Sequence, residues 1–141
     1  MCYGEGEYPN PYRSAMTNFI YSALTGKKLN VHRGTARSWC YIDDIVDGCI
    51  TAMEKASFTR YEAYNIGRDD LRPTEEVAEM IVKLTGASTK QLVFSNPDRL
   101  VYPIKDASFE KAKQELNWES TIPLEEGIKR TIAWQKRELH L

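Results

Sequence analysis

Ser38-Trp39-Cys40-Tyr41-Ile42-Asp43-Asp44 is the stretch on which the fold turns. Its first five residues are rich in strand formers, side chains that suit a pleated, half-buried surface. The two carboxylates that follow suit the opening of a helix. There they can accept from unpaired backbone N–H groups and face the positive end of the helix dipole. Ile45, Val46, Cys49, Ile50 and Met53 then recur at helical spacing, which predicts a helix with one apolar side. A strand running directly into a helix is the repeating unit of an α/β chain.

The alternation continues in both directions. Upstream, Met16, Phe19, Ile20, Ala23 and Leu24 predict a helix over 12–25, and Gly26 supplies a left-handed cap. Leu29 to His32 reads as a short strand. Downstream, Ala63 to Ile66 reads as a strand closed by Gly67. Thr74 is placed to cap a helix whose buried face is Val77, Ala78, Ile81 and Val82, with Glu75 and Glu76 at its positive end and Gly86 after it. Gln91 to Ser95 is a further strand candidate. Ser108 opens a helix with Phe109, Ala112 and Leu116 inward, and Pro123 suits the first turn of a last helix bearing Leu124, Ile128 and Ile132.

Composition excludes several classes. The 141 residues allow one domain with one core. With 42% hydrophobic and 28% charged residues the chain is not of the disordered type. A net charge of −1 offers no global field to nucleic acid or to an acidic membrane. The apolar runs are too short to cross a membrane, and the start, Met-Cys-Tyr-Gly-Glu-Gly-Glu, has no signal-peptide pattern. Three cysteines with no Cys-x-x-Cys pair favour a reducing, cytoplasmic setting, and Cys40 and Cys49 read as buried small hydrophobes. Two distant histidines make no zinc site.

The signatures of nicotinamide chemistry are missing from this stretch. Gly4-Glu5-Gly6 begins a dinucleotide-type pattern, but Pro9 stands where the third glycine belongs, so the segment reads as an ordinary loop. Of the eight tyrosines, none has a lysine four residues later, the arrangement that lowers a tyrosine's pKa for proton transfer. No catalytic, cofactor-binding or metal-binding residue is therefore expected. Asp43 and Asp44 read as caps, and Trp39, Trp118 and Trp134 as packing residues. What remains is a basic run, Lys27, Lys28, His32, Arg33 and Arg37, with no acid among residues 27–37. It suits a diphosphate, arginine above all because its fork gives paired hydrogen bonds; a solvated loop is the alternative.

Six short pieces stand in a telling order. They are Tyr3-Gly4; Phe19-Ile20 through Gly26-Lys27-Lys28-Leu29; Arg37-Ser38-Trp39-Cys40-Tyr41-Ile42-Asp43-Asp44; Tyr64-Asn65-Ile66-Gly67; Ser108, Lys111, Ala112, Leu116 and Trp118; and Glu125-Glu126-Gly127. In this order the chain resembles the extended short-chain dehydrogenase/reductase family, the NAD-dependent sugar-nucleotide epimerases and dehydratases. The resemblance runs from the first residue to about Trp134. Its departures are Met1 where the family has Asn, a shorter loop from Val31 to Arg37, Ser108 for Asp, and Asn117 for the Gly before Trp118.

The resemblance implies the C-terminal part of a Rossmann-type enzyme of that family, residues 1–141 forming a single partial domain. It implies that the strand at Leu29, Val31 and His32 lines a nucleotide base and that Arg37 binds the diphosphate. A second basic residue, Arg99 or Lys105, also reaches the nucleotide, with Arg13 a further candidate. Spacing to Ser108 favours Lys105, whereas Asp98-Arg99 is similar to one dehydratase subgroup. The partner implied is a nucleotide-diphosphate sugar. NAD(P) would serve the complete enzyme, and none is expected to bind this chain alone. The alternatives are a non-catalytic nucleotide-sugar binding module and an interaction fragment that pairs with itself as a homo-oligomer.

Overall fold

The computed structural model describes residues 1–55, 61–97 and 102–141. Three amphipathic helices make its main core. The first, α1 (Ala15–Leu24), is capped by Ser14, whose hydroxyl accepts from the Thr17 N–H. The Glu7 carboxylate in turn accepts from the Ser14 N–H, the Ser14 hydroxyl and the Thr17 hydroxyl. The helix ends as expected at Gly26. A φ of 70° there lets the Lys27 N–H return to the Ser22 carbonyl at 2.9 Å, a left-handed closure that glycine adopts without strain. The other two core helices are α3 (Thr74–Thr85) and α5 (Leu124–Glu138).

Met16, Ile20, Val77, Ile81 and Ile128 meet between these helices with no exposed surface. Each buried side chain of this size contributes ~1.5–3 kcal/mol relative to exposure. Tyr3, Trp39 and Tyr41 close one end of the core through edge-on ring contacts. A smaller cluster, Ala112, Leu116 and Trp118, lies under α4 (Glu110–Leu116). No helix among the described residues is long and apolar enough to cross a membrane.

The strands are short and divided among three sheets. β1 (Cys2–Tyr3) pairs in parallel with β4 (Cys40–Tyr41), and β2 (Leu29–His32) in parallel with β6 (Leu92–Ser95). β3 (Ala36–Ser38) is central in the third sheet, antiparallel to β5 (Leu71–Pro73) and parallel to β7 (Ile104–Lys105). The single strand expected over Ser38–Ile42 is thus two strands. The chain changes sheets at Trp39, which is buried in the core.

Several local expectations are corrected. Ala63 to Ile66 forms no ladder; it lies extended while Ile66 packs on the smaller cluster. Thr74 is the first helical residue and not the cap; its hydroxyl accepts from that of Thr35 at 2.8 Å. The helix α2 (Ile42–Glu54) begins without a side-chain cap. Asp44 is instead buried and accepts from the Thr121 N–H and hydroxyl and the Ile122 N–H, at 3.0–3.1 Å, so it ties α2 to the segment before α5. Asp43 stays at the surface, 3.6 Å from Arg130.

The apolar stripe of α2 faces outward. Asp44 and Gly48 are its buried residues, while Val46, Cys49 and Ile50 are exposed and Met53 is 82% exposed. Gly48 explains which side packs: a Cβ there would come within 2.9 Å of the Trp118 ring. The reading of Cys49 as buried is therefore wrong. Cys40 is buried as expected, and burial pushes its thiol up to about 12.

Candidate functional site

A cleft of about 480 Å³ opens between α1, β2, β3 and β7. Its walls follow from the period-two alternation of β2. Leu29 and Val31 are 1% and 0% exposed and point into the core, so their side chains do not line the cleft as expected. The alternate residues Asn30 and His32 do, together with Lys28 just before the strand. Phe19, Ser22, Asn18 and Ser14 supply the α1 wall.

Arg37 occupies the middle of β3 and is 9% exposed. Its Nη1 donates to the carbonyls of Ala36 and Pro103, both at 2.7 Å, and its Nη2 to that of Tyr102 at 2.8 Å. These bonds fix the guanidinium without cancelling its charge. No carboxylate lines the cleft, and Arg37 makes no ion pair among the described residues. Burial lowers its pKa from the ordinary value, yet guanidinium stays protonated. A nearly buried cation with only carbonyl partners leaves a charge that a bound anion would compensate.

Lys105 stands beside Arg37 in register across β3 and β7. Arg13, from the loop before α1, reaches the same cleft and also borders a second cavity along Cys2, Gly4 and Glu7. The structure therefore brings together Arg13, His32, Arg37 and Lys105. Arg99 lies outside the described residues. Of the rest of the basic run, Lys28 lines the cleft, whereas Lys27 and Arg33 sit over the rings of Tyr21 and Phe94, each at 4.7 Å.

The loop between β2 and β3 is clasped to α3. The Thr74 N–H donates to the Thr35 carbonyl at 2.8 Å, and the Gly34 N–H to the Glu75 carboxylate at 2.8 Å. Thr35 and Thr74 thereby join the cleft wall. No motif in the sequence pointed to either threonine. Asn30 could have been found from the alternation of β2.

The comparisons with known proteins bear on the whole chain. Residues 1–67 match the NAD dependent epimerase/dehydratase family. UDP-N-acetyl-alpha-D-glucosaminuronate decarboxylase of Bacillus cytotoxicus is 30% identical over 94% of this chain and 43% of its own. The chain belongs to the NAD dependent epimerase/dehydratase family. UDP-glucuronate 4-epimerase of Thermodesulfobacterium geofontis is 34% identical over 75% of this chain and 32% of its own length. The crystal structure of UDP-glucose 4-epimerase from Thermotoga maritima, with UDP-glucose, superposes with a TM-score of 0.89 at 26% identity. It covers 98% of this chain and 44% of that one. The α/β architecture is that of the Rossmann-type extended short-chain dehydrogenase/reductases. The chain spans less than half the length of the relatives it matches.

No glycine-rich strand–turn–helix cradle for a dinucleotide stands among the described residues. β1 leads into a loop, not a helix, and α1 begins only at Ala15. Glu7 accepts from the Ser14 N–H and from the Ser14 and Thr17 hydroxyls, which puts a carboxylate at the N-terminus of α1, where a pyrophosphate would otherwise sit.

Proposed function

We propose that this chain is the nucleotide-sugar-binding portion of an NAD-dependent epimerase, dehydratase or decarboxylase, a single partial domain that carries out no chemistry alone. The observation that carries the reading is the guanidinium of Arg37, which has no ion-pair partner among the described residues, in a cleft where none of those residues brings a carboxylate, beside Lys105 and Arg13. A diphosphate ester would accept from Arg37 and Lys105. Its nucleoside and sugar would run to either side. The UDP-linked sugars for which these relatives are named have this chemistry. The backbone of Leu29 and Val31 is engaged in the ladder with β6, so Asn30 and His32 would present this strand to the ligand.

The test is calorimetric titration of the chain with UDP-glucuronate. Saturable binding with Kd in the micromolar to submillimolar range is expected. No heat at millimolar ligand would sink the reading.

The outer face of α2 supports a companion reading, association with further polypeptide. Val46, Ile50 and Met53 form one exposed apolar stripe, and among the described residues β1 has a neighbour on one side only. Parallel sheets are ordinarily covered on both faces, and open edges invite pairing. Light scattering should show mass rising with protein concentration, and Met53→Glu should abolish the rise. A monomer at all concentrations would remove this reading.

A further inference from the structure

One cation in the cleft lies outside the β3–β7 pair that carries Arg37 and Lys105. Lys28 precedes β2 on the side of Asn30 and His32. At ~3.3 Å per strand residue it lies about 13 Å along the strand from His32, which leads through the clasped loop to Arg37. Asn30 follows Lys28 on the same side of the strand, and the α1 wall of the cleft carries Phe19 and Ser22: one amide, one flat apolar ring and one hydroxyl. Arg13 and the second cavity along β1 lie with the other walls. With the diphosphate at Arg37 and Lys105, the ring, hydroxyl and amide suit the nucleobase, and the β1 side suits the sugar.

Asn30 alone cannot choose among bases. Its amide has an acceptor and two donors, so by turning over it matches uracil's N3–H and O4 or cytosine's N3 and amino group equally well. Lys28 has three donors and no acceptor, and it makes no ion pair among the described residues. Against a carbonyl oxygen it adds a charge-assisted hydrogen bond; against an amino group it sets donor against donor. An unfavourable pairing of this kind supplies discrimination as well as the favourable one does.

We infer that Lys28 is a specificity-determining residue, selecting a pyrimidine with a carbonyl oxygen at position 4 (uracil or thymine) over cytosine. The inference rests on the proposed cleft assignment. The experiment titrates UDP and CDP into the full chain and into Lys28→Met, which keeps the length of this exposed side chain. UDP should bind about tenfold more tightly than CDP to the parent, as one charge-assisted bond provides. Lys28→Met should bring UDP down to the CDP level and leave CDP unchanged. Equal binding of UDP and CDP by the parent would overturn the role of Lys28 while leaving the cleft intact. Equal weakening of both by Lys28→Met would do the same, because it would put the ammonium on phosphate or on the shared O2. Binding of neither nucleotide would overturn both the cleft assignment and this inference.

Discussion

Arg37→Ala is expected to weaken nucleotide-sugar binding about 100-fold or more, since two charge-assisted hydrogen bonds to phosphate and a fixed positive charge vanish together. The substitution also has a structural cost. It removes the guanidinium donors to the Ala36, Tyr102 and Pro103 carbonyls, which now help hold the segment before β7 against β3. The cost is modest, because the Pro103 carbonyl keeps the Ala36 N–H and Tyr102 and Pro103 are exposed to water. Arg37→Lys separates the two effects. It keeps the charge but not the fork, so binding should fall by only about tenfold. Calorimetry at two salt concentrations checks both variants, with thermal melts alongside. Affinity for UDP-glucuronate unchanged in a folded Arg37→Ala protein would remove Arg37 from the site.

Gly127→Ala is expected to destabilise the chain by about 2 kcal/mol or more, although alanine is the better helix former by ~1 kcal/mol. Gly127 lies on the buried side of α5, against two tyrosines. A Cβ there would overlap the Tyr3 hydroxyl and come within 2.9 Å of Tyr3 Cζ and 3.0 Å of Tyr41 Cδ2. The Tyr3 hydroxyl cannot simply withdraw, because it donates to the buried Leu124 carbonyl at 3.1 Å. Overpacking costs ~1–3 kcal/mol and loss of the buried hydrogen bond a similar amount, so crowding outweighs propensity. Tyr3→Phe removes the atom that is struck. In that background Gly127→Ala should therefore cost measurably less, a coupling read from a urea-denaturation cycle. An alanine variant as stable as the parent would show that α5 shifts freely and that the contact is not tight.

The helices were legible because their apolar spacing is local information. α1, α3 and α5 lie where Met16 to Ala23, Val77 to Val82 and Leu124 to Ile132 put them. The strands were less legible, since a strand exists only with a partner. Ser38 to Tyr41 divides because its partners come from Cys2–Tyr3, Leu71–Pro73 and Ile104–Lys105. Ala63 to Ile66 has the composition of a strand but joins no sheet among the described residues. α2 misled for another reason. Its periodicity gave an apolar face correctly, but Gly48 and Asp44 choose the packed side through Trp118 and the Thr121–Ile122 backbone, 70 to 78 residues on. In the cleft, the basic run located Arg37 and His32, and the family resemblance located Lys105 and Arg13. The resemblance assigns Leu29 and Val31 to the base, whereas alternation with Asn30 and His32 turns their side chains inward.

The position of β3 between β5 and β7 has a consequence for how the chain acquires its cleft. Arg37 is held by strands centred about Arg72 and Lys105, so its setting requires two loop closures of high sequence separation. Such closures come late in folding. A newly made chain would thus form its helices before it could recognise any nucleotide. A nucleotide present at that moment would favour the finished arrangement by mass action, stabilising the closing segments by RT ln(1 + [L]/Kd).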